Sequence, residues 1–424
     1  MTILLFVVFL LLLLLGFPIA FALGLSSFVF ILFSDLPLIV IPQKMYAGID
    51  VFVLLAIPGF ILAGNLMNAS GITNRIINFC NAILGHIRGG LGLANVGASM
   101  LFGGISGTAI ADTASIGSVM IPAMKKEGYD TDFSCAVTAT SSTLGPIIPP
   151  SLPMIIAATL TGLSVGKLFI AGIIPGLLLG VGLMLTTYVI SVKRKYPKSK
   201  RMPFWLMAKS FYQAFWAIMM TLIILFGIIG GVFTPTEASI VAVIYAMVIG
   251  LLVYRELKLV MIPKIILQSA KMTASLMVLV GFANLFAWIM TVEEIPQLIA
   301  ENLLDFTQNK FLLLFLINLL LIFVGAFMET IAALLILFPV LLGVALHVGV
   351  DPVQFAMIMV MNLVIGLTTP PVGVCLFVAS SIGQISLERI SKAGLPFLLI
   401  SLLVLLLVTY IPEVSLWLPG LFYD

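Results

Sequence analysis

The chain has 424 residues, 62% of them hydrophobic and 9% charged, with a net charge of +3; soluble domains run at about 45–50% apolar and about 25% charged. Long apolar runs recur from end to end, which excludes a soluble protein and any sizeable soluble domain. Cys80, Cys135 and Cys375 are too scattered for a disulfide frame or a thiolate metal site, and the small net charge says little about partners and gives no reason to expect nucleic acid.

Met1 to Leu15 lacks a basic n-region and a small-residue cleavage site before Gly16-Phe17-Pro18, so it reads as a retained helix rather than a signal peptide. With Pro18 to Phe33 it makes a tight helical pair. Ser34 to Asp50 is polar enough for a loop or interfacial piece, and Val51 to Asn68 is the next span. Asn74 to His86 carries Arg75, Asn78 and Asn81 on one side and Ile76, Ile77 and Phe79 on the other, the pattern of a helix lying along the membrane surface.

Gly89 to Met124 is interrupted at Gly103-Gly104 and Ser106-Gly107-Thr108, with Arg88 at one end and Lys125-Lys126 at the other. Basic residues at both ends predict a re-entrant hairpin that enters and leaves on the cytoplasmic side. Asp130 to Leu160 is the next span, and it holds Gly145-Pro146-Ile147-Ile148-Pro149-Pro150-Ser151. Three prolines remove amide donors and forbid a continuous helix, so this span must break in the membrane. After Ser164 to Val192, the cluster Lys193, Arg194, Lys195, Lys198, Lys200 and Arg201 places its loop in the cytoplasm.

Phe211 to Gly231 and Glu237 to Tyr254 flank an outer turn at Thr234-Pro235-Thr236, where Thr234 or Thr236 caps a helix with Glu237 in its first turn. Arg255, Lys258, Lys264 and Lys271 return the chain to the cytoplasm, Thr273 to Thr291 crosses outward, and Glu293 to Asp305 is a second amphipathic surface piece. Phe311 to Leu346 is a second hairpin, broken at Gly325 to Thr330 and without a basic cluster, which fits the outer face. Asp351 to Ser381 is a second broken span around Gly366-Leu367-Thr368-Thr369-Pro370-Pro371-Val372-Gly373, and Glu388 to Tyr410 closes the chain.

One offset lays Gly104 over Gly325, Gly128 and Asp130 over Gly349 and Asp351, Gly145 over Gly366, and Pro149-Pro150 over Pro370-Pro371. With one hairpin opening inside and the other outside, the halves read as inverted repeats, and paired broken helices point to a binding site near the bilayer midplane. Breaks in lipid are tolerated where the freed groups line a cavity or coordinate something. Carbonyls and hydroxyls at Gly104, Ser106, Gly145 and Pro149, and at Gly325, Gly366, Thr368 and Thr369, suit a hard cation such as sodium, which gives two similar cation sites. The restarting helix N-termini suit an anionic substrate, with Asn95, Ser106, Thr108, Asp112, Ser141, Thr143, Glu329, Thr330 and Asn362 as candidate contacts. Asp112 and Glu329 are acids within the hairpins; either is equally a structural cap. There is no phosphate loop for ATP, and His86 and His347 are isolated.

Gly103-Gly104-Ile105-Ser106-Gly107-Thr108-Ala109 with Ala111-Asp112, Gly145 to Ser151, Gly231-Val232-Phe233-Thr234-Pro235-Thr236-Glu237-Ala238, and Thr369 to Gly373 together resemble the large membrane subunit of TRAP transporters, the tripartite ATP-independent periplasmic carriers. The resemblance spans essentially the whole chain. It implies an all-α fold of the ion-transporter superfamily, a scaffold with a transport domain that moves as an elevator, and sodium coupling. It also implies two partners, a small four-helix membrane subunit and a soluble periplasmic binding protein that delivers an organic acid such as sialic acid or a C4-dicarboxylate. Because the chain starts at the first large-subunit helix, the small subunit is expected as a separate polypeptide. Scaffold helices and the surface arm then occupy 1–88, the first half of the transport domain 89–163, connecting and scaffold helices 164–310 with the basic loop 193–209, the second transport half 311–385, and the C-terminal helix 386–424. The expectation is a multi-pass bacterial inner-membrane carrier and not an enzyme. The rivals are an ion channel, which wants a continuous polar pore, and a membrane-embedded enzyme, for which Asp112 with Ser106 is a thin case.

Overall fold

The computed structural model describes residues 2–34, 36–199, 201–295, 297–298, 307 and 309–423, and every element among them is helical. Two short helices, α1 (Thr2–Leu14) and α2 (Ile19–Leu32), pack together across a turn in which Gly16 has φ +83. The stretch expected as a loop or interfacial piece contains a helix, α3 (Val40–Ile49), seated on the long α13 (Ile262–Val292). That close seating is what turns a polar-looking stretch into a packed element. α4 (Ala56–Ala69) also packs on α13. α5 (Ile72–Leu84) buries Ile72, Ile76, Ile77 and Cys80 between α6 (Gly90–Ser106) and α11 (Phe204–Ile229) and leaves Asn74 and Asn78 exposed, as its two-sided pattern predicts.

Several helix starts are closed by side chains, which spares an unpaired amide in lipid. Thr108 caps α7 (Ala109–Lys126), Ser151 caps α9 (Leu152–Thr161) and Ser164 caps α10 (Val165–Lys193). At α12 (Pro235–Val248) a capping box forms: the Thr234 amide donates to Glu237 Oε2 at 2.8 Å, and the Glu237 amide donates to Thr234 Oγ1 at 3.2 Å. α13 starts well before the expected Thr273 and takes Lys264 and Lys271 into its exposed face, where long stems keep the ammonium groups in solvent. The second surface piece, Glu293 to Asp305, lies largely outside the described residues.

Both expected hairpins and both broken helices are present as helix, break and helix. α6 and α7 meet at Gly107-Thr108; α8 (Thr131–Ser141) and α9 flank the first proline break. α14 (Lys310–Phe327) and α15 (Thr330–His347) meet at Met328-Glu329; α16 (Pro352–Gly366) and α17 (Val374–Gly383) flank the second. After α18 (Leu387–Tyr410) the chain does not close: α19 (Glu413–Tyr423) folds back on α10, where Gly166 leaves room for the Tyr423 ring.

Two helix groups result. α13 gathers α2, α3 and α4, with α12 on α4 and α11; α7, α8, α17 and α18 interlock with α9, α14, α15 and α16. The groups meet where α13 touches α15 and α4 touches α6. Among the described residues, eight helical stretches are long and apolar enough to cross a membrane. The loop after α10 ties down the starts of α6 and α8: Arg194 reaches Asp130 at 2.9 Å and Asp132 at 3.0 Å, Tyr196 donates to Asp130 at 2.7 Å, and the Gly89 amide donates to the Pro197 carbonyl at 3.2 Å.

Candidate functional site

Prolines set the local chemistry of the first break. Pro149 and Pro153 have no amide hydrogen, so the carbonyls of Gly145 and Pro149 lose the donors that a continuous helix would give them. Ser142 O takes the Gly145 amide and Leu144 O takes those of Ile147 and Ile148, while Ser151 Oγ donates to Pro146 O. The Pro149-Pro150 and Pro370-Pro371 bonds are both cis. At the second break, Thr369 N bonds Gly366 O at 2.9 Å and Cys375 N bonds Leu367 O at 3.0 Å. The Gly373 amide leaves its own helix and donates to Ala326 O, on the tip of the α14–α15 hairpin, at 3.2 Å.

Each hairpin clasps its break backbone to backbone. A Cβ on Gly103 would lie 2.7 Å from Gly145 Cα, and one on Gly366 would lie 2.5 Å from Gly325 Cα. Only glycine permits such an approach. The residue facing Gly145 is Gly103, one position from the Gly104 that the sequence aligned with Gly325. Gly104 instead faces Pro149 O and Thr221 of α11, and Thr221 Oγ1 donates to Gly104 O at 3.4 Å.

The first tip gathers Ser106, Thr108 and Asp112. Ser106 donates to Asp112 Oδ1, and Thr108 Oγ1 accepts the Ala111 amide at 3.4 Å. Asp112 is fully buried, its Oδ2 points at Gly145, and that oxygen has no hydrogen-bond partner. Ser106 and Thr108 also line an 80 Å³ cavity shared with Asn65 and Asn68 of α4 and Met272 of α13. Asn68 Nδ2 donates to Ser115 Oγ of α7 at 3.1 Å, a bond between the two helix groups.

The second tip is built differently. Glu329 caps α15, its Oε2 accepting the amides of Ile331 at 2.9 Å and Ala332 at 3.2 Å, while the buried Thr330 hydroxyl has no partner. Thr368 and Thr369 both donate to Ile365 O. The remaining candidates lie deeper among the helices. Asn95 donates to Thr138 Oγ1 at 2.6 Å, Ser141 pairs with Ser99 at 2.8 Å, and Thr143 donates to Thr140 O at 2.6 Å. Asn362 donates to Asn318 Oδ1 at 2.8 Å, and Asn318 in turn reaches Thr409. Asn95, Ser141 and Asn362 cross-link helices, while Thr143 bonds back within its own segment two residues before Gly145; all four are at 0–1% exposure. The two breaks adjoin through α17 on α7 and α9 on α15 and α16. Sequence reasoning passed over Ser99, Asn68, Ser115 and Thr221, single polar residues in apolar helices whose partners lie far along the chain.

Residues 6–414 match the family described as the tripartite ATP-independent periplasmic transporter, DctM component. The chain is 43% identical over 400 residues to the C4-dicarboxylate TRAP transporter large permease protein DctM of Pseudomonas aeruginosa, covering 94% of each. To the sialic acid TRAP transporter large permease protein SiaM of Vibrio cholerae it is 42% identical over 411 residues, covering 96% of each. The solved structure of the YdaH transporter of Alcanivorax borkumensis has a similar fold, with a TM-score of 0.60 at 17% identity over 90% of this chain and 88% of that one. The chain therefore belongs to the DctM-component family of tripartite ATP-independent periplasmic transporters, as a multi-pass inner-membrane permease and not an enzyme.

Proposed function

We propose that the protein takes up an organic anion together with sodium, as the large subunit of a carrier that also needs a small membrane subunit and a periplasmic binding protein. The observation that carries this reading is the pair of proline breaks, each clasped by a hairpin tip through a glycine contact, with an unpartnered Asp112 oxygen aimed at the first. Groups left without partners in lipid are costly unless something coordinates them. Sodium takes oxygen ligands, and the donors at hand are oxygens: Ser106, Asp112 and the carbonyls of Gly145 and Pro149 at one break, and Thr368, Thr369 and the carbonyls near Gly366 at the other. Reciprocal packing, α7 on α17 and α15 on α9, supports inverted repeats, with residues 89–163 and 311–385 moving as one transport body against α2, α3, α4 and α13. Relatives named for C4-dicarboxylates and for sialic acid support an organic acid as the substrate.

Two sodium ions with one monoanion would move one net charge, worth about 2.3 kcal/mol per 100 mV. Proteoliposomes holding the chain with its two partners should take up succinate or N-acetylneuraminate only when sodium is outside. Undiminished uptake in potassium alone would reject the coupling, and uptake without either partner would reject the tripartite arrangement.

A further inference from the structure

A cleft of 440 Å³ separates the two helix groups, with Lys44, Asn284 and Trp288 on one wall and Thr159, Leu335 and Pro339 on the other. Its volume is in the range that holds small organic ligands. We infer that this cleft is an access site for the carried anion, with Lys44 as the cation that first receives its carboxylate; the inference rests on the organic-anion reading above.

Among the described residues Lys44 has no ion-pair partner, and none of the residues described along the cleft is an aspartate or glutamate. The side chain and the backbone that carries it are nevertheless held. Its ammonium lies 4.9 Å from the centre of the Trp288 ring, a cation-π arrangement. Its own carbonyl accepts Asn284 Nδ2 at 2.7 Å. α3 presses so closely on α13 that a Cβ at Gly48 would lie 2.4 Å from Asn284 Cβ. A charge fixed in a partly enclosed, acid-free cleft attracts an anion more strongly than one waving in water.

A lysine beside a tryptophan also occurs as a membrane-interface anchor. Such anchors face outward, as Trp205 and Trp417 do at 78% and 58% exposure. Lys44 and Trp288 are half-buried and face the opposite wall. That wall belongs to helices that start at a break or a tip: Thr159 lies in the last turn of α9, which restarts after the first break, and Leu335 and Pro339 lie on α15, which starts at the second hairpin tip. The cleft also sits on the receiving side. α9 hands over to α10, which runs away from the cleft to the basic run beginning at Lys193. With that run in the cytoplasm, the cleft opens outward, where the anion arrives.

The test uses the assembled carrier in proteoliposomes with succinate and N-acetylneuraminate as probes. Lys44→Gln should raise the external KM about tenfold, the loss of one charge-assisted contact, with the maximal rate nearly kept, and Lys44→Arg should restore most of it. A second arm needs no transport. The three native cysteines are buried, so Ala47→Cys in the cleft can be labelled with anionic and cationic methanethiosulfonates on the purified chain. The anionic reagent should react faster, succinate should slow it, and Lys44→Gln should erase the preference. An unchanged KM in Lys44→Gln, or a reagent preference indifferent to Lys44, overturns the inference. A wild-type carrier that moves neither acid rejects the organic-anion reading instead, while the labelling arm still decides whether the cleft draws anions.

Discussion

Replacing Gly366 by alanine would set a methyl carbon 2.4 Å from the Gly325 carbonyl carbon, 2.5 Å from its Cα and 2.8 Å from its oxygen. All three are backbone atoms, so no rotamer change relieves the clash. Ordinary contact begins at 3.4 Å, and α14 must therefore withdraw by about 1 Å, an overpacking that costs about 1–3 kcal/mol. The movement falls on the hairpin tip whose Ala326 carbonyl holds the Gly373 amide. A 1 Å displacement of positioned groups costs about 100-fold in an enzyme site, and a loss of that order is expected in uptake, with the protein still in the membrane. Gly343→Ala and Gly394→Ala are the controls, since nothing lies within 4 Å of the added carbon at either and helix propensity gains about 1 kcal/mol. Uptake by Gly366→Ala at the rate of these controls would refute the view that the clasp matters.

Changing Pro149 and Pro150 together to alanine returns two amide donors at the first break; transport should vanish while membrane insertion persists, measured by uptake and fractionation. Asn68→Cys with Ser115→Cys, bridged by a short cleavable thiol reagent, should arrest transport until reduced, because their 3.1 Å bond joins the two groups that slide in the proposed motion; transport by the bridged protein would deny that motion. The Tyr196 hydroxyl, working against the opposing effect of burial and joined by Arg194, holds the Asp130 carboxyl below its ordinary 3.8. A depressed carboxyl stabilises the fold fully above its unfolded value and ceases to as pH falls through the folded one. Melting temperature should thus drop more steeply for wild type than for Asp130→Asn between about pH 5 and pH 3, and parallel slopes would contradict this role.

The breaks were legible because proline and glycine act through the backbone, whatever surrounds them. Tip composition was legible too, but the facing of single residues was not: Gly103 rather than Gly104 meets Gly145, a matter of one helical step that only packing fixes. Asp112 and Glu329 looked interchangeable as hairpin acids. In the structure Glu329 spends one oxygen capping α15, while Asp112 keeps one oxygen without a partner. α3 and α19 escaped because their burial comes from α13 and α10, distant in sequence. For the same reason Lys44, Asn284 and Trp288 could not be read as one cleft.

The most direct measurement is the melting temperature of the purified chain titrated with sodium chloride, against potassium chloride at equal ionic strength. Ligand at about 100 times its dissociation constant stabilises by about 2.7 kcal/mol, so sodium should raise the midpoint where potassium does not. Asp112→Asn should weaken the rise at the first break and Thr369→Ala at the second. Equal midpoints in the two salts would contradict cation binding at the broken helices.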